Sequence, residues 1–203
     1  MRAASVVVAL ALLCAPAAYA RTHESSAALA RALRTAGRGE VSLRYDVASL
    51  TGGAPREVRA TLALEPPDRA RIDVRATGES IVARADGGEW RQPATRQLIR
   101  FRPEHAVAAM RWWRVLLGEE RAARERRIAP RHYALVLAGE DGAATDSAEV
   151  WLDPRGLPSR LDVGSGDGSA LRYRLAGWRF TKARGIAAFR LAVPAGYESV
   201  ELP

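Results

Sequence analysis

At 203 residues, 48% hydrophobic and 27% charged, the chain is sized for one domain with a full apolar core. Its formal net charge of +8 is carried by arginine, Lys182 being the sole lysine, and Cys14 is the sole cysteine. A lone cysteine excludes an intrachain disulfide and a cysteine-clustered metal centre, and no later stretch reaches the roughly 20 apolar residues of a membrane-spanning helix.

Arg2 is followed by an apolar run from Val6 to Leu13 and by Ala18-Tyr19-Ala20. A positive start, a short apolar run and a small-x-small site mark a cleavable secretory signal. Residues 1–20 are read as that signal, with cleavage after Ala20, a single mature domain over 21–203 and a periplasmic location. Leu13 precedes Cys14, where lipoprotein processing requires a small residue, so ordinary cleavage is expected and the mature chain has no thiol. Export argues against a nucleic-acid partner. The arginines alternate with apolar residues instead of forming a run. That pattern fits a solvated strand face; its functional counterpart is attraction to anionic headgroups or acidic proteins.

Glu24 to Ala36 reads as an amphipathic helix, with Ser25 or Ser26 as cap, Leu29 and Leu33 on one face, and Gly37 as terminator. From Glu40 the period becomes two. Val41, Leu43, Tyr45 and Val47 alternate with polar residues, as do Val58, Ala60, Leu62 and Leu64, then Ala70, Ile72 and Val74. Gly52-Gly53 and Pro66-Pro67-Asp68 turn the chain between them. Ser80 to Ala85 continues the pattern, Asp86-Gly87-Gly88 signals a hairpin before Trp90, and Gln97 to Phe101 is a further strand. Pro103 opens a helix to about Leu117, stopped by Gly118, with Val107, Met110, Trp113 and Leu117 as its apolar stripe. Glu119 to Arg131 reads as a charged, irregular connection. Period two then returns in Tyr133–Leu137, Ala148–Leu152, Leu161–Val163, Leu171–Leu175, Trp178–Phe180, Phe189–Val193 and Val200–Leu202, with a turn at Asp153-Pro154-Arg155-Gly156. About ten or eleven strands against two helices predict a mainly β (α+β) protein built on a strongly curved antiparallel sheet or open barrel.

Chemistry is hard to find in this pattern. His23, His105 and His132 lie far apart and share no motif with a serine or carboxylate, and no nucleophile elbow, zinc helix or P-loop occurs. Gly164 to Ser169 sits between strands, so it is a hairpin tip and not a phosphate cradle. Glu119-Glu120 lies on a charged stretch, and Asp141, Asp146 and Asp153 lack calcium-loop spacing. The chain is not expected to be an enzyme.

The order of pieces is nevertheless informative. Pro66-Pro67-Asp68-Arg69 precedes Arg71-Ile72-Asp73-Val74; Ile81-Val82-Ala83, Asp86-Gly87-Gly88-Glu89-Trp90 and Pro93 to Gln97 follow. Late in the chain stand Val150 to Pro158 and Phe189-Arg190-Leu191-Ala192-Val193-Pro194-Ala195-Gly196-Tyr197. This succession resembles the LolA-like outer-membrane lipoprotein carriers and their LolB and RseB relatives, over nearly the whole mature chain. The aspartate-glycine-tryptophan strand pair and the closing Phe-x-Leu-x-x-Pro-x-Gly are its more specific parts.

The resemblance implies an incomplete antiparallel barrel whose mouth is covered by helices. It implies a carrier that shelters acyl chains of a lipoprotein or other lipid on the way to the outer membrane. No cofactor or metal is implied. Expected partners are the acylated cargo, an inner-membrane donor and an outer-membrane acceptor, with transient membrane contact and a monomeric state. An acyl chain in water costs about 0.8 kcal/mol per methylene, and an open apolar cavity is an aggregation risk, so a lidded cavity suits the task. The expected lining is Leu43, Tyr45, Leu62, Leu64, Ile72, Val74 and Trp90 on the sheet, with Val107, Met110, Trp113 and Leu117 on a lid helix; a permanently packed helix is the other reading of that stripe. The carriers latch the lid with an arginine directly before the first of these prolines. Glu65 occupies that position here, so the latch and its ATP-driven loading partnership are not carried over, and Arg69 and Arg71 are the nearby cations. An RseB-like envelope sensor, which would need a second domain, and a secreted hydrolase with an unrecognised site are the alternatives.

Overall fold

The computed structural model describes residues 23–47, 56–103, 112–117, 124–138, 144–164 and 170–202. Six strands follow one another as an antiparallel meander: β1 (Arg38–Val47), β2 (Arg56–Glu65), β3 (Arg69–Val74), β4 (Glu79–Arg84), β5 (Gly87–Gln92) and β6 (Gln97–Phe101). A second meander contains β7 (Arg124–Ala129), β8 (His132–Ala138), β9 (Ala144–Leu152), β10 (Pro158–Gly164) and β11 (Ala170–Thr181), and β11 joins the two by pairing with β1. The last strand, β12 (Glu198–Glu201), returns parallel to β6. All twelve strands form one curved sheet that does not close, with β12 and β7 at its edges, as an incomplete barrel requires.

Alternation sorts the side chains onto two faces. The inner face is the one against which helix α1 (Ala27–Ala36) packs, through Leu29, Ala30 and Leu33. Leu33 presses so close to Gly39 that a Cβ there would lie 2.8 Å from Leu33 Cδ2. Val41, Leu43, Leu62, Leu64, Leu135, Val150, Leu161 and Leu175 complete this core, and helical residues 112–117 add Trp113, Leu116 and Leu117.

Both ends of α1 illustrate how distant residues override local signals. Gly37, at φ 97°, ends the helix in the left-handed region and donates its N–H to Leu33 O at 2.7 Å, as expected. Its start differs from expectation: residues 24–26 form a turn, and neither Ser25 nor Ser26 caps the helix with its side chain. The Glu125 carboxylate on β7 instead accepts the N–H groups of Glu24 at 3.1 Å and Ser25 at 2.9 Å.

Two further expectations are corrected. The stretch 119–131 is not wholly irregular, because Arg124–Ala129 pairs with β8 as an edge strand. Phe189 to Val193 is not a strand: Ile186–Phe189 forms a 3-10 helix and the chain runs on unpaired to Tyr197. Twelve strands lie among the described residues instead of ten or eleven: β7 is the one the sequence pattern did not announce, and the closing strand expected around Val200 is β12, which pairs parallel to β6.

The arginines lie where alternation puts them. Arg59, Arg44, Arg174 and Arg160 fall in one register row across the outer face of β2, β1, β11 and β10. Glu57 and Asp46 pair with Arg174, Glu57 also with Arg59, and Asp162 with Arg160 and Arg172. This is the solvated, charge-laced face that the sequence pattern suggests, and such exposed pairs contribute little stability.

Candidate binding face

Hairpin registers line up one apolar row across the inner face. Val41 is paired with Leu62, Leu62 with Ile72, Ile72 with Ile81, Ile81 with Trp90, Trp90 with Ile99, and Ile99 with Val200. The row is fully buried at Val41 and Leu62, where the helices cover it, but only half-buried from Ile72 through Ile81, Trp90 and Ile99 to Val200. Beside it runs a row of small residues, Ala70, Ala83 and Gly88, ending at Phe101. The Phe101 ring folds across Gly88, where a Cβ would meet Phe101 Cε2 at 1.9 Å, so glycine is required there for space.

The expected lining residues divide between these regions. Leu43, Leu62 and Leu64 are sealed in the core with Leu29, Leu33, Trp113 and Leu117. Val74 is buried, and Tyr45, Ile72 and Trp90 are half-buried. All seven sheet residues point to the inner face. Val107 and Met110 lie outside the described residues, as do His105, Glu119, Glu120, Asp141 and the Ser165–Ser169 tip. The strands flanking that tip pair antiparallel from Gly164↔Ala170. Ile81, Ile99 and Val200 belong to the same row but were not among the expected residues; the turns at Ala85-Asp86 and Pro93–Arg96 fix the register of Ile81 and Ile99 and were the available signal, whereas Val200 arrives by the parallel return of β12.

The face is electrically quiet. The Tyr45 and Tyr173 rings lie 5.6 Å apart, tilted by 49°, and Trp113 meets Tyr173 edge-on at 5.3 Å. Burial pushes both phenols above their ordinary range, with Glu79 adding to the effect on Tyr45, so both stay neutral at physiological pH. Trp178 satisfies its indole N–H on Pro158 O at 2.7 Å. The Trp90 Nε1–H is buried and has no hydrogen-bond partner among the described residues.

Charge is spent on the outer face, where it fixes the C-terminal segment. Glu65 is fully buried there and accepts the N–H groups of Arg184 at 2.8 Å and Gly185 at 3.0 Å. Its other contacts are Arg69 Nη1 at 3.1 Å and Arg38 Nη1 at 4.0 Å. Arg71 donates to Ala188 O, Arg84 to Phe189 O, and the Leu191 N–H to Glu89. Phe189 is buried between the Arg38 and Arg69 guanidinium groups, and Leu191 closes over Val82 and Leu98. Arg69 and Arg71 thus hold this strap, on the side of the sheet opposite the apolar row.

A second depression, about 360 Å³, lies on the outer face of β8–β10. Its walls include Glu149, Trp151, Arg160 and Asp162. His132 stacks on Trp151 and bonds Glu149 at 2.7 Å, and the Arg160 guanidinium lies over the Trp151 ring at 4.1 Å. His23 is a hundred residues away in sequence, bonded to Glu125. Among the described residues no group of three or more histidine, cysteine or acidic side chains is placed to hold a metal.

An open, curved antiparallel sheet wrapped around a predominantly apolar inner face, with helices laid against it, defines the architectural class. A solved LolA superfamily protein from Nitrosomonas europaea has this fold, with a TM-score of 0.52, 8% identity, and coverage of 84% of this chain and 97% of that one. An uncharacterized conserved protein from Thermus thermophilus covers 89% of this chain and 100% of its own at 14% identity and TM-score 0.49. A DUF1329 family protein from Desulfovibrio piger covers 82% and 95% at 10% identity and TM-score 0.46. No protein-family profile and no curated protein matches the sequence. The chain has a LolA-like fold.

Proposed function

We propose that the protein is a periplasmic carrier that shelters the acyl chains of lipoproteins or other lipids on its inner face during transit towards the outer membrane. The observation that carries this reading is the half-open row Ile72–Ile81–Trp90–Ile99–Val200. Apolar surface left in contact with water forfeits about 25 cal/mol per Å², and a chain laid along the row recovers about 0.8 kcal/mol per methylene. The LolA-like fold supports the same reading. Ile72, Trp90 and Tyr45 form the accessible wall. Leu43, Leu62, Leu64 and Val74 form the deep wall, reached when helical residues 112–117, with Trp113 and Leu117, move aside. Cleavage after Ala20 delivers the domain to the periplasm as a monomer that binds cargo without turning it over. Glu65 holds the C-terminal strap, so opening in this carrier does not depend on an arginine at that position, and its donor and acceptor recognise other features.

Native mass spectrometry of protein purified from the periplasm tests the proposal. The expected result is a bound acylated lipid or lipoprotein, lost in Ile81→Asp while the circular dichroism spectrum is kept. Recovery of lipid-free protein that also fails to take up a fluorescent fatty-acyl probe would refute it.

A further inference from the structure

Two tryptophans with buried indole nitrogens are treated differently by this fold. Trp178 donates to Pro158 O at 2.7 Å. Trp90, at the middle of the half-open row, has an Nε1–H shielded from solvent and no acceptor among the described residues. Its paired neighbours on either side are Ile81 and Ile99, which offer no side-chain acceptor. An indole is donor only, and a buried donor left unpaired costs free energy that most proteins avoid by finding a partner. Hydrocarbon cargo would leave that cost in place. Cargo with a carbonyl at this depth would remove it.

Resting on the carrier reading, we infer that Trp90 Nε1–H is the polar register mark of the binding face: it donates to the carbonyl oxygen of an acyl group, so the site takes ester- or amide-linked acyl chains in preference to alkyl chains. The alkyl tail then lies along Ile81, Ile72 and Ile99, and the carbonyl stops the tail from sliding along an otherwise featureless apolar row. An indole–carbonyl bond in an apolar setting corresponds to about a five- to tenfold preference.

Matched lipids test this without any variant. Palmitoyl lysophosphatidylcholine and its hexadecyl-ether analogue share a headgroup and chain and differ in the carbonyl. Calorimetric titration of the mature protein, below the critical micelle concentration, is expected to give about five- to tenfold tighter binding of the ester. Trp90→Phe keeps an aromatic side chain and removes the donor; whatever contact area both lipids lose, the ester is then expected to bind no better than the ether. A peptide bearing an O-palmitoyl serine against its O-hexadecyl ether counterpart asks the same of a protein-linked acyl carbonyl, and a Trp90-dependent preference there places protein-linked acyl groups in the site. Equal binding of ester and ether by the wild-type protein, or an ester preference that survives Trp90→Phe, overturns this inference and leaves the carrier reading standing. Failure of every lipid to bind overturns the carrier reading itself.

Discussion

Replacing Glu65 should loosen the C-terminal strap before it unfolds the sheet. The carboxylate is buried and is held by the N–H groups of Arg184 and Gly185, with Arg69 at 3.1 Å and Arg38 at 4.0 Å. Hydrogen bonds to a charged acceptor are worth about 1.5–3 kcal/mol each. Removing one partner of a buried ion pair costs about 3–5 kcal/mol, because the remaining charge is left uncompensated. Arg69 keeps Pro66 O and Arg38 keeps Glu40 as partners, so the lower part of that range applies. Glu65→Ala is therefore expected to lose about 3–4 kcal/mol, and Glu65→Gln, which still accepts one N–H, about 2 kcal/mol. Urea unfolding should show the first as a midpoint lower by roughly 1–2 M at a typical slope for this size. Hydrogen exchange supplies the local readout: the Arg184 and Gly185 amides should lose protection by more than the core amides of β1 and β11. A loss below about 1 kcal/mol, or unchanged protection at Arg184 and Gly185, would refute the assignment of Glu65 as the anchor.

Three other outcomes follow from the same geometry. Gly88→Ala must push the Phe101 ring off β5, since a Cβ would sit 1.9 Å from it; thermal unfolding should show about 1–3 kcal/mol of destabilisation, with a changed near-ultraviolet spectrum. Asp153→Ala removes the carboxylate that accepts the Arg155 and Leu157 N–H groups at 2.8 and 2.9 Å; about 1–2 kcal/mol should be lost in denaturant titration, with hydrogen exchange accelerated at those two amides. Burial pushes the Glu125 carboxyl up, but the bonds from Ser25, the Glu24 N–H and the His23 charge outweigh it and hold the group below its ordinary 4.5. A depressed carboxylate stabilises fully above the unfolded value and loses that contribution as pH falls through the lower folded one. Stability should therefore drop below about pH 4.5, and Glu125→Gln should flatten that part of the profile.

What the sequence discloses here depends on how far apart the interacting residues are. The first meander is legible because each strand is short, alternating and bounded by a turn that fixes its register, as Ala85-Asp86 does for Ile81↔Trp90. The row that forms the candidate site was legible for the same reason, but only when read across strands instead of along them; choosing residues strand by strand selects Ile72 and Trp90 and passes over Ile81, Ile99 and Val200. The edge strand β7 shows no apolar period, since Arg124, Glu125, Arg126 and Arg127 put charge on both faces, so nothing in it announces pairing with β8. The strap at 184–191 is the opposite failure. Phe189 and Leu191 carry a strand-like spacing, yet the segment satisfies its backbone with side chains of Glu65, Arg71, Arg84 and Glu89, more than a hundred residues earlier. No local rule could connect them.

The two faces of the sheet are consequently held by different forces, and this bears on how the protein can work. On the outer face the strap is tied to β2–β5 by directional, charge-assisted bonds that lock strand spacing. On the inner face, apart from the Glu125 bonds at the start of α1, the covering elements meet the sheet through leucine, valine and aromatic contacts, which are non-directional and scale with area. Displacing a helix by an alkyl chain on that face exchanges one apolar contact for another and breaks none of the bonds that hold the strap. The frame can therefore keep its curvature while the occupant of the row changes. The Trp90 N–H is the directional group left unpaired on that face among the described residues, and it is where an occupant with a carbonyl would be told apart from one without.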